Sequence, residues 1–229
     1  MSLFTLAIAL GVVAPTPWDY SGLPMLKSPN PYRILTSTTN IDLQKAEHGG
    51  GPGSIVIVTS TTVYRNQGAA GQATLTIPRH RVGGAGAGAP DFQITATWDN
   101  QPVTFQAALI TQTGSGEAID VESDLTATVP IRSQGTHALR ITCQEPLQQT
   151  GYGSVQYRTG YLLTGENPIE QMNVNYRYPP QVVFDLPTAK PDLGWQKGAK
   201  GVTIRKSNFV PAGQLTNIEF YPAGFKPIG

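Results

Sequence analysis

The sequence is short of charged residues. Asp, Glu, Lys and Arg together make up 14% of its 229 residues, against about 25% in an ordinary soluble domain. Lys and Glu keep monomers apart in solution and are depleted where proteins bury surface against one another. The low charge therefore favours a protein that assembles with others, although a solvated exterior rich in Thr and Gln is the alternative. A net charge of +1 excludes global electrostatic steering toward nucleic acid, membranes or acidic ligands.

Cysteine is nearly absent. Cys143 is the only one, which excludes an internal disulfide and hence a small disulfide-stapled scaffold. Residues 139–143 alternate so that Cys143 shares the apolar face of a strand. We expect a buried small hydrophobe rather than a nucleophile, because neither a base nor a pKa-lowering group is near it in sequence. The chain also has no Asn-x-Ser/Thr acceptor, which removes one positive sign of a eukaryotic secreted protein.

No catalytic, cofactor-binding or metal-binding motif is found. Gly84, Gly86 and Ala89 match a dinucleotide-loop spacing, but Pro90 and a strand pattern follow, where that motif requires a helix N-terminus. The three histidines have no partner at metal-ligand spacing: His48, His80 and His137. We therefore predict that the protein is not an enzyme, and we assign no cofactor-binding residue and no metal ligand.

Thr and Gly are abundant, with 25 of each, and there are 19 Pro. Thr suits a pleated strand, while Gly and Pro punctuate a chain that turns often, so helix-rich folds are disfavoured. Three segments alternate apolar and polar residues as half-buried strands do: Phe92–Trp98, Leu125–Ile131 and Met172–Tyr178. The residues Asp99, Asn100, Gln101 and Pro102 predict a turn at the end of the first. Pro130 predicts an edge position or a bulge in the second.

Other local patterns are weaker. Four consecutive apolar residues in Ser54–Val58 predict a strand covered on both sides, and Asn40–His48 is the candidate for one short helix. The sequence Thr-Ser-Thr-Thr occurs at both 36–39 and 59–62. This echo hints at a duplicated strand, but Thr-rich strands produce such echoes by chance, and we give it little weight.

About a dozen short strand candidates without crossover helices predict an all-β fold, an antiparallel β-sandwich. A single jelly roll with an extended N-terminal arm and long Gly/Pro-rich loops is preferred, and two smaller sandwiches in tandem are the alternative. Residues 1–31 are expected to form an apolar segment and a Pro-rich arm, and residues 32–229 the sandwich domain. Residues 83–90 are the boundary if two units exist.

The N-terminal segment from residue 2 to residue 14 is largely apolar and carries no charge, and Pro15 and Pro17 end it. It is too short to span a bilayer, which takes about 20 residues. It also does not fit a signal peptide, because no Lys or Arg precedes it and Pro15 would follow the cleavage point. We expect either a strand or short helix completing the chain's own core, or an arm that docks on a neighbouring subunit or a membrane surface. The arm residues are Leu3, Phe4, Leu6, Ile8, Leu10 and Val12.

One stretch of the chain is locally basic. Its cations are Lys197, Lys200, Arg205 and Lys206, and no acidic residue lies between Asp192 and Glu219. Such side chains contact phosphates, so these four residues are the predicted anion-facing feature, toward nucleic acid or acidic lipid. A solvated hairpin is the plain alternative.

The arm-like N-terminus, the prolines, the many short Thr-rich strands, the Gly-rich loops and the few charges together resemble virion structural proteins of the jelly-roll type. The resemblance covers the pattern from Met1 to Phe220 and rests on no diagnostic motif. The strongly basic arm of many small RNA-virus coat proteins is missing, which puts genome packaging in doubt. The resemblance implies a non-enzymatic capsid, decoration or tail subunit of a virion, built by self-association with copies of itself and other structural proteins.

The alternative prediction is a cell-surface or pilus-type adhesion module that binds glycan or protein, in an extracellular location. Amphipathic aromatic rings suit both sugar and protein contacts. The candidates for such a platform are Trp18, Tyr20, Tyr152, Tyr157, Tyr161, Tyr176, Tyr178 and Trp195. Sequence alone does not distinguish a platform from a core.

Overall fold

In the computed structural model, the chain is described over residues 18–44, 55–82, 93–107, 120–122, 124–146, 148–150, 156–177, 182–184, 193–198 and 201–222. Within these ranges every regular element is a strand. The first ten are β1 (Trp18–Ser21), β2 (Met25–Lys27), β3 (Tyr32–Gln44), β4 (Ile55–Asn66), β5 (Gly71–Ile77), β6 (Arg79–Val82), β7 (Gln93–Trp98), β8 (Gln101–Val103), β9 (Gln106–Ala107) and β10 (Asp120–Glu122). The others are β11 (Leu125–Ile131), β12 (Thr136–Pro146), β13 (Gln148–Thr150), β14 (Gln156–Leu163), β15 (Ile169–Arg177), β16 (Val182–Phe184), β17 (Gln196–Gly198), β18 (Gly201–Phe209) and β19 (Gln214–Pro222).

Eight strands form the main sheet, in the order β17-β18-β15-β3-β4-β12-β7-β8. All neighbours in it are antiparallel except β15 and β3, which run parallel. The remaining strands form two four-stranded sheets, β2-β5-β11-β9 and β13-β14-β19-β16, and a three-stranded sheet, β1-β6-β10. The prediction of an all-β fold is thus confirmed, and two-layer packing consistent with a β-sandwich is present.

The two four-stranded sheets contact one face of the main sheet, which we call its inner face. Over one half, the indole Nε1 of Trp98 on β7 donates to the carbonyl oxygen of Pro130 on β11, at 2.8 Å. Over the other half, the Tyr176 hydroxyl on β15 lies 2.6 Å from that of Thr216 on β19. The hydrophobic core lies between these layers, and its large, fully buried members include Tyr64, Leu75, Leu139, Met172 and Ile204.

The two four-stranded sheets, which we call the covering sheets, meet along a seam that is held by backbone contacts. Gly22, just after β1, forms an isolated parallel bridge with Leu162 on β14, and the Leu23 amide donates to the Leu162 carbonyl at 2.7 Å. A Cβ at Gly22 would lie 2.7 Å from that same carbonyl oxygen, closer than real Cβ atoms approach. The approach of the two chains at the seam therefore depends on glycine.

The strand order differs from the preferred topology. A jelly roll arranges eight strands as two Greek keys in two sheets, whereas here one sheet alone has eight strands and includes the parallel pair β3 and β15. The jelly roll is therefore not confirmed. Strands from before and after residues 83–90 pair in the main sheet, as β4 does with β12, so this segment does not separate two sandwiches.

The predicted arm differs from the structure at its C-terminal end. Residues 18–21 form β1, which pairs with β6, and residues 25–27 form β2, which pairs with β5. The β fold therefore begins before residue 32, where the sequence placed the boundary. The apolar residues of the proposed arm, Leu3 to Val12, lie outside the described residues.

The predicted helix at Asn40–His48 is wrong over residues 40–44, which continue β3. Ile41 packs inward between polar neighbours, and the segment pairs with β4 on one side and β15 on the other. Pairing on both sides supplies more backbone hydrogen bonds and burial than a short isolated helix, so tertiary context overrides local propensity. The strand at Ser54–Val58 is covered on one side only, since Val56 and Val58 are buried and Ile57 is half-buried on the opposite face.

Several local predictions are confirmed. The alternating segments form β7, β11 and β15, and Cys143 is buried in the core. Asp99 and Asn100, with φ of 50° and 66°, form the two-residue turn between β7 and β8, as expected for a hairpin with left-handed turn residues. Pro130 pairs with Gln72 of β5 on one side of β11. On the other side β9 pairs only with Leu125 and Thr126, so no described strand pairs with Pro130 there, as the predicted edge position requires.

Candidate binding surface

The other face of the main sheet, which we call the outer face, is not covered by any described residue. On every long strand of the sheet, the side chains that alternate with buried core residues are half-buried or exposed, and most are polar, although Ile57, Val63 and Ala138 also face outward. On β3 and β4 these outward positions include Thr36, Thr38, Asn40, Thr59 and Thr61. The outer face is thus a broad polar surface on a rigid scaffold.

The register aligns these side chains in rows that cross the strands. One row runs from β17 to β7 and has no charge in it. Its members are Gln196, Thr203, Asn175, Asn40, Thr59, Thr142 and Thr95. Hydrogen bonds link neighbours along part of it: the Thr203 hydroxyl donates to Asn175 Oδ1 at 3.0 Å, and Asn175 Nδ2 donates to Asn40 Oδ1 at 3.0 Å.

The neighbouring row carries an arginine on β18 and another on β12. In order it contains Arg205, Asn173, Thr38, Thr61, Arg140 and Thr97. With strands about 4.8 Å apart, the four strand steps between Arg205 and Arg140 correspond to about 19 Å. The side chains between the two arginines are an amide and two hydroxyls, which donate and accept hydrogen bonds.

Five arginines lie on the outer face: Arg33, Arg65, Arg140, Arg177 and Arg205. Two of them contact carboxylates, since Arg33 Nη2 lies 2.6 Å from Glu170 Oε1 and Arg177 Nη1 lies 3.5 Å from Asp42 Oδ1. The other three make no ion pair within the described part of the chain. Counting only the residues that the structure describes, the face has five arginines and two carboxylates, a positive excess of three, in a chain whose net charge is +1.

Two clefts open beside these arginines. The larger, of about 580 Å³, lies between β15, β17 and β18 and is lined by Asn175, Arg177, Gln196, Lys197, Thr203 and Arg205, among others. Gly201 at its rim is required, because a Cβ there would collide with the Tyr176 carbonyl oxygen. The smaller, of about 200 Å³, is lined by Arg33, Arg65, Asn66, Gln67 and Gln134.

Arg33 and Arg65 are directly opposite each other on β3 and β4. Like charges at directly opposed positions destabilise a strand pair. Glu170 offsets Arg33, whereas Arg65 has no carboxylate partner among the described residues. Repulsion between the two guanidinium groups destabilises the surface when it is empty, and a bound anion would reduce that repulsion.

His137 is the one histidine whose side chain the structure describes, and it serves the fold. It is buried, its Nδ1 lies 2.7 Å from Asp99 Oδ2, and its Nε2 accepts from the Arg132 amide at 3.0 Å. Its ring stacks on Trp98, with centroids 5.0 Å apart. Both ring nitrogens are thus occupied, which leaves none to act as a base or a metal ligand.

A third cleft, of about 440 Å³, lies next to this histidine, between β8 and the open side of β11. Asp99 at its end accepts three hydrogen bonds, from His137, from the Arg132 guanidinium at 3.2 Å and from the Ala138 amide at 2.9 Å. The polar groups of this cleft therefore hold the turns together. In the described ranges, no group of three or more His, Cys, Asp or Glu is placed to hold a metal ion, and no helix has the length and apolarity needed to cross a membrane.

The predicted anion-facing residues do not form one cluster. Arg205 points outward from the main sheet, and Lys197 on the edge strand β17 lines the same cleft. Lys206 follows Arg205 in a strand and so points to the opposite face, and Lys200 lies outside the described residues. Sequence reasoning missed Arg33, Arg65, Arg140 and Arg177, because these arginines are far apart in the chain and meet only through the strand register.

The aromatic candidates for a sugar platform are not on the outer face where they are described. Tyr161 and Tyr176 are buried, and Trp195 is partly buried and packs on Tyr176 with ring centroids 5.5 Å apart. The side chains of the remaining five are not described.

The inner face holds two tyrosines whose ionisation is suppressed. Burial raises the pKa of Tyr64 well above its ordinary value, and the nearby phenols of Tyr32 and Tyr161 raise it further. The Tyr64 hydroxyl donates to the Pro24 carbonyl at 2.9 Å. Burial also raises the pKa of Tyr32, although a hydrogen bond from Asn167 opposes that shift.

No protein-family model matches the chain, and no curated protein matches it in sequence. Among solved structures, it is similar to a protein named a "putative nutrient binding protein" from Legionella pneumophila, with a TM-score of 0.68 and 9% identity, over 91% of this chain and 72% of that one. At this identity the likeness shows the fold alone.

Two further solved structures give lower TM-scores. An M1 zinc metallopeptidase from Deinococcus radiodurans gives a TM-score of 0.40 at 12% identity, over 86% of this chain and 43% of that one. A yeast LTA4 hydrolase in complex with bestatin gives 0.45 at 13% identity, over 86% of this chain and 30% of that one. The chain thus spans less than half the length of either enzyme.

Proposed function

We propose that this protein is a non-enzymatic binding module of the adhesion type, and that its working surface is the outer face of the main sheet. One observation carries the proposal: the main sheet is covered on its inner face, while its outer face presents aligned rows of hydroxyl, amide and guanidinium groups. Loops and faces that carry function are held by a rigid scaffold in this way. The location that suits such a module is a cell surface or the extracellular space.

An enzymatic role has less support in the geometry. The buried His137 and Asp99 pair uses its polar atoms for the fold, and the outer face has no convergent nucleophile, base and oxyanion donor among its described residues. The Legionella protein's name refers to nutrient binding, but a likeness of fold does not carry a ligand from one protein to another.

The self-assembling virion subunit is the second candidate. The low charge of the chain and the apolar segment Leu3–Val12 favour it. The outer face argues against a virion subunit, because two copies that paired face to face would bring two positively charged surfaces together. Val210 is the only large hydrophobic side chain exposed within the described residues, so these residues alone offer little apolar surface for an assembly interface.

The test places a bulky group on the outer face. Thr59→Asn creates the acceptor sequence Asn-Ser-Thr with Ser60 and Thr61, in the centre of the face, and expression through a eukaryotic secretory pathway attaches a glycan there. Thr126→Asn is the matched control, because it creates Asn-Ala-Thr with Ala127 and Thr128 on the outward side of the covering sheet. Mass spectrometry verifies that both sites are occupied.

Wild type and both glycosylated variants are then compared on an array of neutral and acidic glycans, and native mass spectrometry gives their oligomeric state. We expect glycan binding by wild type and by the control, and loss of binding by the Thr59→Asn protein. Equal binding by all three proteins would contradict the proposed surface. Closed oligomers with no glycan binding would favour the virion subunit instead.

A further inference from the structure

We infer that the outer face binds an acidic polysaccharide, carboxylated or sulfated, whose chain crosses the strands along the row from Arg205 to Arg140. This inference rests on the proposed function, since it names the class of ligand for the same surface. It goes further in assigning the direction of the bound chain and the two arginines that hold it.

Charge is the first argument. Arg65, Arg140 and Arg205 make no ion pair among the described residues, and all three side chains are exposed. An arginine guanidinium offers two parallel donors to a carboxylate or sulfate group and is more weakly hydrated than a lysine ammonium, which favours pairing with such groups. The excess of positive charge on one face, in a chain that is nearly neutral, selects an anionic partner.

The groups between the arginines are the second argument. Asn173, Thr38 and Thr61 separate Arg205 from Arg140, and the next row adds further hydroxyls and the linked amides of Asn40 and Asn175. A polysaccharide presents hydroxyls between its charged groups, and these exchange hydrogen bonds with Thr and Asn side chains. Threonine is stiff at χ1, so its hydroxyl is ordered at little entropic cost when a ligand binds.

Nucleic acid fits this surface less well. Single strands bind through aromatic side chains on which bases stack, and no described aromatic side chain points outward from the main sheet. Successive strands in a sheet rotate by about 20–25°, so a row across five strands follows a twisted path. A flexible polysaccharide follows that path, whereas a stiff duplex does not.

The binding test uses four polymers: polygalacturonate, dextran sulfate, neutral dextran and a thymidine oligonucleotide. Binding is measured by calorimetry at low and at physiological salt. We expect wild type to bind polygalacturonate or dextran sulfate, more weakly at higher salt, and to bind neutral dextran and the oligonucleotide at least about tenfold more weakly. The two acidic polymers distinguish carboxylate from sulfate as the group that is read.

Four variants test the row. The single substitution Arg205→Gln removes one end of it and should weaken binding. Arg140→Gln with Arg205→Gln removes both ends of it, and we expect a loss of at least about tenfold in affinity, the amount expected when charge-assisted hydrogen bonds are removed. Arg205→Lys retains charge but not the paired donors, and should lose less. Lys27→Gln removes the same amount of charge as Arg205→Gln, but from the covering sheet, where Lys27 is exposed on β2. It is therefore the control for net charge, and it should leave affinity unchanged.

The outcomes separate the two proposals. If the Thr59→Asn glycan blocks a neutral glycan and the arginine variants have no effect, the binding surface stands and the acidic ligand is wrong. Tighter binding of the oligonucleotide than of either acidic polysaccharide would also overturn the ligand class. An equal loss of affinity in the Lys27→Gln and Arg205→Gln variants would mean that net charge, rather than this row, is responsible.

Discussion

On strands β3 and β4, the two faces of the main sheet use the same residue type for different purposes. Inward, Ser37 faces Thr62 with hydroxyls 3.3 Å apart, and Thr39 faces Ser60 at 3.2 Å, all four side chains buried. Outward, Thr38 faces Thr61 in the row that ends at the two arginines. The two Thr-Ser-Thr-Thr segments of the sequence thus lie on neighbouring antiparallel strands and pair with each other.

The comparison shows how a buried hydroxyl differs from an outward one. The inner hydroxyls satisfy each other, and the Thr39 hydroxyl also contacts that of Tyr161 on the covering sheet, at 3.2 Å. A buried hydroxyl without a partner costs about 1–3 kcal/mol, so these pairs are maintained for stability. The outer hydroxyls exchange hydrogen bonds with solvent and are free to exchange them with a ligand.

The largest expected difference between the faces is in packing. Leu139 on β12 is fully buried, and the next residue, Arg140, points outward. Leu139→Ala should lower the free energy of unfolding by about 2–5 kcal/mol, because it leaves a cavity in the core, whereas Arg140→Ala should change it by no more than about 0.5 kcal/mol. Urea unfolding at neutral pH measures both. Similar destabilisation by the two substitutions would mean that the outer face is also packed.

The buried hydroxyls give the next effect. Thr62→Val keeps the shape of the side chain but leaves the Ser37 hydroxyl without its partner, and should destabilise the protein by about 1–3 kcal/mol. The outward Thr61→Val is the matched control and should change stability by no more than about 0.5 kcal/mol. Adding Ser37→Ala to Thr62→Val should restore part of the loss, since both polar partners are then gone. Additive losses in the double variant would argue against a coupled pair.

The smallest effect concerns alkaline pH. The pKa of Tyr64 is raised in the folded state, so above pH about 10 the unfolded chain releases this proton while the folded chain retains it. The contribution of Tyr64 to the free energy of unfolding is therefore constant below the pKa of the unfolded state. Above that pKa it falls, by at most about 1.4 kcal/mol per pH unit. Tyr64→Phe should flatten the fall in unfolding free energy between pH 9 and 11. An unchanged slope would show that Tyr64 is not the group responsible.

Sequence patterns predict the strands well where one face is buried. The alternation in Leu125–Ile131 and the turn at Asp99 and Asn100 both follow from local chemistry, and both are present. The prediction of a helix at Asn40–Gln44 is wrong, because pairing with β4 and β15 makes that segment a strand. Strand order could not be predicted for the same reason, since a parallel β3 and β15 pair leaves no local trace in the sequence.

The arginines of the outer face show why the site was harder to predict than the fold. Each arginine looks like an isolated solvated residue in the sequence, and the local density of charge drew attention to Lys197–Lys206 instead. Only the register places Arg205 and Arg140 in one row, four strands apart. A non-local alignment of this kind becomes visible once strand pairing is known.

The most direct test of the outer face is protection of its arginines by ligand. The protein is treated with an arginine-specific dicarbonyl reagent with and without a saturating acidic polysaccharide, and modification is quantified at each arginine by mass spectrometry. We expect Arg140 and Arg205 to be protected. Arg132, whose side chain is 68% exposed at the end of the sandwich, should react equally in both samples. Protection of Arg132 with continued modification of Arg140 and Arg205 would contradict the proposed surface.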